Sequence, residues 1–202
     1  MAPGGWRDGF PERFGAAIAA IDRANAADPV VAIREGSAYP KELLHAELMT
    51  ARVLELDPDA GELQLIAARA HHLRRWVVPR ASYPDGRSGY LRWRTALRRQ
   101  HAEEVGEILG GLGYREDETE RVQQIVAKRG LGHDAEVQVH EDALCLVFLE
   151  TQFAELADRL DHDHLVDVVR KTLAKMSDEG IAVANGIDLP PALRSVLTEA
   201  SS

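Results

Sequence analysis

Two adjacent histidines, His71 and His72, are the residues in this sequence most suited to chemistry. They follow a run of small residues without a turn signal, so residues 67–76 are predicted to be helical. Neighbouring helical residues lie about 100° apart around the axis, which would direct one imidazole into a core cavity and the other to its rim. Imidazole binds divalent transition metals such as Zn, Fe, Mn, Co and Ni. The doublet therefore predicts a metal site in a helical protein.

Three further potential ligands lie beside apolar faces of other predicted helices: His45, His101 and Asp142. Burying several polar groups without mutual partners would be costly, and bundle interiors commonly collect ligands from different helices. We expect His45, His72, His101 and Asp142 to bind the metal, with His71 as a substitute ligand or a catalytic group beside it. The alternatives are that the histidines are hydrogen-bonded core residues, and that Asp142 is a carboxylate stabilised by a helix dipole.

One carboxylate and several basic residues complete the predicted site. Glu104, one turn after His101, is the predicted general base, or else a group that orients a ligand. Residues 77–90 form the longest irregular stretch, which is typical of a functional loop. Arginine suits phosphate and carboxylate because its planar guanidinium can form two parallel hydrogen bonds. The predicted substrate-binding residues are Lys41, Arg75, Arg80, Arg87, Arg92 and Arg94. Singly, such arginines are more often solvated surface groups.

The elements that must position these residues are predicted to be helices throughout. Apolar residues recur at helical spacing, and no segment alternates convincingly over the length of a strand. Residues 1–9 are rich in Gly and Pro and are predicted to be loose. Residues 10–200 are predicted to form one all-α domain, a single-domain helical bundle. The clearest helices are predicted near residues 11–27, 90–112, 116–128, 137–153 and 191–199, and residues 30–38 are predicted to be a connector that turns at Gly36.

Composition narrows the range of partners. The net charge of −9 argues against broad binding to nucleic acid or to an anionic membrane. No apolar run approaches the length of about 20 residues that a membrane helix requires. The only cysteine, Cys145, excludes an internal disulfide, and we find no secretory signal, so a cytoplasmic protein is expected. The expected partner is a small anionic or phosphorylated molecule, and the oligomeric state stays open.

The order of the histidines and Asp142 resembles that in the HD-domain metal-dependent phosphohydrolases, whose pattern is H…HD…D in an all-helical fold. Residues 101–114, HAEEVGEILGGLGY, are similar to the helix that follows the HD doublet in that superfamily. The doublet here is His-His and not His-Asp. Nearly the whole chain is also similar to an uncharacterised family, the domain of unknown function numbered four thousand two hundred and two. The stretches that carry this similarity are YPKELLHAELMT, AARAHHLRRWVVPRASYP, GYLRWR and EDALCLVFLE.

The residues and the resemblance together predict a metal-dependent hydrolase that acts on a small phosphorylated or anionic metabolite. A metal ion would lower the pKa of a bound water and so provide a nucleophile near neutral pH. Two other functions remain open. One is a catalytically inactive, HD-like module that binds or senses a ligand, and the other is an HD-like metal-dependent oxygenase.

Overall fold

The computed structural model describes residues 5–34 and 36–201, and helices make up most of this part of the chain. The helices are α1 (Glu12–Asn25), α2 (Lys41–Leu56), α3 (Glu62–Ala70), α4 (Gly86–Gly110), α5 (Glu116–Val126), α6 (Ala135–Thr151), α7 (Phe153–Ala157), α8 (His162–Leu173), α9 (Asp178–Gly186) and α10 (Pro191–Ala200). The prediction of a single all-α domain is confirmed.

A small hairpin is the exception to the helical prediction. Strands β1 (Val31–Arg34) and β2 (Ser37–Pro40) pair antiparallel, with Val31 opposite Pro40. The predicted turn at Gly36 is present, and this glycine has a φ of +75°, a conformation that other residues rarely adopt. Strands of four residues are too short to carry a clear alternating pattern, which explains why the sequence indicated only a connector.

Helix α6 joins two hydrophobic clusters into one domain. The larger cluster contains buried side chains of α1, α2, α3 and α5, and it includes Val137 and Val147 of α6. The smaller cluster contains buried side chains of α7, α8 and α10, and it includes Leu146 and Leu149 of the same helix. The mainly apolar sequence of α6 follows from this position, because the helix is covered on several sides.

The histidine doublet lies just beyond the end of a helix. Helix α3 ends at Ala70, and Arg74 adopts a left-handed conformation with a φ of +48°. The backbone N–H of Arg74 donates to Oδ1 of the buried Asn25, at 3.0 Å. The prediction of a continuous helix over residues 67–76 was therefore wrong. A tertiary hydrogen bond replaces the helical pattern after His71, and a sequence pattern cannot reveal such a bond.

Residues 77–85 are held close to the start of α4. Gly89 meets the Pro84 carbonyl so closely that a Cβ atom at position 89 would collide with its oxygen. The indole Nε1 of Trp93 donates to the carbonyl oxygen of Val78, at 2.8 Å. These two contacts fix the segment after the doublet against α4, which itself begins at Gly86 and not near residue 90.

The N-terminal segment is anchored where the structure describes it. Trp6 packs edge-on against Phe14, with 5.7 Å between ring centroids, and Phe10 also contacts Phe14. Residues 1–9 were predicted to be loose, but Trp6 packs against α1. Residues 1–4 lie outside the described residues. Within the described ranges, no helix has the length and apolar character needed to cross a membrane.

Candidate metal centre and its two cavities

Imidazole rings from α2, α4, α6 and the end of α3 meet in one place. His45 and His72 stack almost in parallel, with 3.9 Å between ring centroids. The His71 ring lies 4.7 Å from that of His72 and 4.7 Å from that of His140. The His101 ring lies 5.9 Å from that of His72. Five rings from separate parts of the chain thus form one contiguous group.

Three of these histidines could hold a metal ion. His45, His71 and His72 each offer a ligand atom, and the three atoms lie within 4.8 Å of one another. The structure therefore brings together the predicted ligands His45 and His72, and it adds His71 as a third. Both members of the doublet thus offer a ligand atom to the centre.

Burial keeps the five imidazoles neutral. It lowers the pKa of His45 to about 3, of His140 to about 3 and of His101 to about 4. It also holds the pKa values of His71 and His72 well below the ordinary value of 6.5. A neutral imidazole keeps a nitrogen lone pair, which metal coordination requires. The uncharged state of these histidines near neutral pH is therefore compatible with metal coordination.

Unpartnered nitrogen atoms also fit a metal ion. In the described part of the chain, Nε2 of His45 and Nε2 of His101 are buried without a hydrogen-bond partner. Buried polar atoms are rarely left in this state, because their desolvation is then uncompensated. Nδ1 of His101 lies 2.9 Å from the Leu73 carbonyl oxygen, which can only accept a hydrogen bond. This contact favours a tautomer in which Nε2 carries the free lone pair.

Glu42 is a site residue that the sequence analysis missed. Its Oε2 lies 3.0 Å from Nδ1 of His72, and both side chains are largely buried. Burial raises the pKa of Glu42 to about 7, although Arg75 opposes this shift. The backbone N–H of Glu42 donates to Oδ2 of Asp28 at 2.9 Å, which fixes the start of α2. The spacing of Glu42 and His45, three residues apart on one helix, could have indicated that both face the same side.

His140 is the second residue that the sequence analysis missed. It is fully buried in α6, and its Nε2 lies 2.7 Å from Nδ1 of His71. One of these two nitrogens must donate a hydrogen to the other. If His71 donates through Nδ1, its Nε2 remains free for a metal. The position of His140 on the most apolar helix was the signal available in the sequence.

Asp142, the fourth predicted ligand, does not join the three histidines. Its Oδ1 accepts from the Ser177 backbone N–H at 3.0 Å and from the Gln138 side chain at 2.9 Å, and its Oδ2 accepts from the Ser177 hydroxyl at 2.6 Å. Asp142 therefore secures the start of α9. Adjacent helical residues point in different directions, and the neighbouring Glu141 instead pairs with Lys128.

Glu104 also has a different place from the one predicted. Its carboxylate pairs with Arg74, with 3.4 Å between Nη1 and Oε1. It is not among the described residues that line the cavities beside the histidines. The pairing follows from the left-handed turn at Arg74, which directs this arginine toward α4.

Two cavities open on either side of His72, Arg75, Trp93 and Gln152, which line both. The cavity next to β1 has a volume of about 820 Å³ and is also lined by His45 and Glu42; we call it the hairpin cavity. The cavity between α4, α6 and α8 has a volume of about 460 Å³ and is also lined by His71 and His101; we call it the basic cavity. The histidine centre is thus accessible from both.

The predicted substrate-binding residues divide between these cavities. Lys41 and Arg80 line the hairpin cavity, Arg94 lines the basic cavity, and Arg75 lines both. Arg87 and Arg92 are exposed and line neither. Four basic residues of the basic cavity were missed because they lie far from the doublet in sequence: Arg98, Lys128, Lys171 and Lys175.

Arg75 lines both cavities and places a positive charge beside the histidines. Its Nη1 lies 3.1 Å from Nε2 and 3.3 Å from Nδ1 of His72, and its guanidinium lies over the Trp93 ring at 5.1 Å from the centroid. The positive charge of Arg75 further lowers the pKa values of His45, His72 and His101. Arg75 therefore helps to keep the centre neutral.

Comparison with known proteins places the chain in a family. No curated protein and no solved structure matches it. The family model described as Domain of unknown function (DUF4202) matches residues 15–197, which contain every residue of the histidine centre. The chain therefore belongs to the DUF4202 family.

Proposed function

We propose that this protein is a metal-dependent hydrolase of small phosphorylated or otherwise anionic molecules. The observation that carries the proposal is the convergence of His45, His71 and His72, all neutral and the first two buried, at the edge of two cavities. A divalent transition metal (Zn, Fe, Mn, Co or Ni) fits this donor set of imidazole nitrogens. When bound, such a metal acts as a Lewis acid and lowers the pKa of a water in its coordination shell.

The residues of the chain supply orientation and charge. Glu42 holds Nδ1 of His72, so that Nε2 of His72 is the ligand atom once the Arg75 guanidinium, 3.1 Å from that nitrogen, moves aside. His140 restrains His71 in the same way. Arg75 is placed to bind an anionic group beside the histidines, because its guanidinium lines both cavities. These fixed contacts reduce the reorganisation that substrate and metal binding would otherwise require.

The proposal includes a distant relationship to the HD-domain phosphohydrolases. It is supported by the all-α fold and by the chain order in which His45, the doublet and His101 reach one centre. Asp142 gives no support, because its carboxylate is used at the start of α9. We also place the protein in the cytoplasm, in keeping with the single cysteine, Cys145, as a buried free thiol.

Turnover of a panel of phosphomonoesters and phosphodiesters tests the proposal. The full chain is assayed with added Zn, Fe, Mn, Co or Ni and again after chelation. We expect metal-dependent release of the alcohol product, which is lost in His72→Ala and retained in His162→Ala, whose histidine is exposed and pairs with Glu199.

Two results would replace the hydrolase assignment. Tight binding of an anion without turnover in any metal would identify a ligand-binding module. Oxygen consumption that requires bound iron, without release of the alcohol product, would identify an oxygenase. Full metal content and full activity in His72→Ala would contradict the site itself.

A further inference from the structure

The two cavities differ strongly in charge. The described lining of the hairpin cavity holds three cationic side chains, Lys41, Arg75 and Arg80, and three acidic ones, Asp28, Glu42 and Glu155. The described lining of the basic cavity holds six cationic side chains and a single acidic one, Glu141. The chain as a whole has a net charge of −9. A concentration of positive charge on an acidic protein, inside a concave site, favours an anionic ligand.

Lys128 is the most constrained cation of the basic cavity. Its backbone is left-handed, with a φ of +56°, a conformation that is unfavourable for a residue other than glycine. Its side chain is 6% exposed, and Nζ lies 2.6 Å from Oε2 of Glu141, which is 3% exposed. A buried ion pair is generally no more stabilising than an apolar pair of the same size. The left-handed backbone has a structural role, because it closes the end of α5: the N–H of Lys128 donates to the Ile125 carbonyl oxygen at 2.9 Å. Stability alone does not explain why the residue at this position is a buried lysine.

The position of Lys128 connects the basic cavity to the histidine centre. Lys128 lines the same cavity as His71 and His101. Lys175 approaches the same carboxylate from the turn after α8, with 3.9 Å between Nζ and Oε1 of Glu141. Glu141 therefore faces two lysines.

The rest of the cavity suits a small molecule with an anionic group. Arg94 and Arg98 lie one turn apart on α4 and line the same side of the cavity. Trp93 and Phe148 add apolar surface to the lining. The cavity volume of about 460 Å³ lies within the usual range for small-molecule sites.

We propose that the basic cavity binds the anionic group of the substrate as an oxyanion of the phosphate type, with Lys128 as the fixed cation at its base and Arg94 and Arg98 at its mouth. This inference rests on the proposed function, because it assigns the substrate of that site to one of the two cavities. It also reassigns anion binding away from residues 77–92. Arg80 there already donates to the Tyr83 carbonyl oxygen at 2.8 Å, and Arg87 and Arg92 line neither cavity.

Binding of inorganic phosphate to the full chain tests the inference without any need for turnover. Isothermal titration is performed on metal-free and metal-loaded protein. In both forms we expect saturable binding that weakens at least about tenfold in Arg94→Ala/Arg98→Ala, since two charge-assisted contacts are lost. Arg99→Ala is the matched control, because Arg99 is exposed and pairs with Glu103. This control should keep the affinity of the unaltered chain.

A second variant tests Lys128 while protecting the fold. Lys128→Met alone would leave Glu141 buried without its partner, so Lys128→Met/Glu141→Leu removes both charges together. Circular dichroism and the melting temperature establish that the double variant is folded. We expect it to bind phosphate at least about tenfold more weakly than the unaltered chain.

The outcomes separate this inference from the proposed function. Phosphate binding that depends on Lys128 and Arg98, without turnover of any ester, would support the inference while the hydrolase assignment fails. Metal-dependent turnover and phosphate affinity that both survive the two double variants would overturn the inference and leave the hydrolase assignment standing. Loss of phosphate binding in Arg80→Ala alone would also overturn it, by placing the anion in the hairpin cavity.

Discussion

The carboxylate of Glu42 and the imidazole of His72 form the most informative contact of the candidate centre. The 3.0 Å separation between Oε2 and Nδ1 assigns Nδ1 to Glu42. Nε2, which accepts from Arg75 Nη1 at 3.1 Å, is then the nitrogen of His72 that a metal would take over from Arg75. Carboxylates in this position commonly orient a histidine ligand and increase its basicity. The metal affinity of the centre should therefore depend on a residue that does not itself bind the ion.

Glu42→Gln tests this dependence. The amide keeps the size of the side chain but removes the charge, and we expect the metal dissociation constant to rise about 10- to 100-fold. Competition with a chromophoric chelator measures the constant. Glu55→Gln is the control, because Glu55 lies on the same helix and pairs with Arg52 at the surface. Equal affinities in the two variants would show that Glu42 does not act on the metal.

At the scale of elements, two consecutive residues of α6 have different roles. Asp142 holds the start of α9 through Ser177, while Glu141 faces the basic cavity. Gly180 lies so close to Asp142 that an added Cβ would come within 2.7 Å of its Cγ. The contact between α6 and α9 is therefore closely packed as well as hydrogen-bonded.

Asp142→Ala is expected to destabilise the protein without affecting its metal content. The variant loses two hydrogen bonds to Ser177 and one to Gln138, and the free energy of unfolding should fall by about 1–3 kcal/mol. Urea denaturation measures this fall, and metal analysis of the same sample provides the comparison. A variant of unchanged stability that lost its metal would restore Asp142 as a ligand.

The sequence predicted most helices but not the side-chain direction on which the site depends. Helical spacing located α1, α4, α5 and α6 to within a few residues of their bounds. The same spacing could not distinguish Glu141 from Asp142, because neighbouring residues on a helix covered on several sides both face protein. The end of α3 depends on a hydrogen bond between Arg74 and Asn25, which are 49 residues apart in sequence. Such tertiary contacts leave no local pattern.

At the scale of the whole molecule, the burial of neutral histidines makes the free energy of unfolding depend on pH. The pKa values of His45, His71, His72, His101 and His140 are all lowered from 6.5 by burial. Below pH 6.5 the unfolded chain therefore binds more protons than the folded one, and stability falls as the pH falls. Glu42 acts in the opposite direction between its ordinary pKa of 4.5 and its raised value of about 7. One carboxyl group opposes five imidazoles, so the histidines dominate.

Metal-free protein should consequently be sensitive to acid. Each histidine can remove up to about 1.4 kcal/mol of stability per pH unit below 6.5, so we expect unfolding between about pH 6 and 4 for a domain of ordinary stability. Melting temperatures recorded from pH 8 to pH 4 in the presence of a chelator measure the effect, and His140→Gln should reduce the slope. A melting temperature that stays constant from pH 7 to pH 5 would contradict the burial of neutral histidines.

Metal analysis of single-histidine variants tests the central claim, that His45, His71 and His72 form a metal centre. The protein is purified without chelator and without a histidine tag, and its metal content is measured by mass spectrometry. We predict about one equivalent of a divalent transition metal in the unaltered chain, a loss of most of it in His45→Ala and His72→Ala, and full retention in His162→Ala and His164→Ala, whose side chains are exposed. Full metal content in His45→Ala and His72→Ala, or none in the unaltered chain after incubation with each metal, would contradict the account.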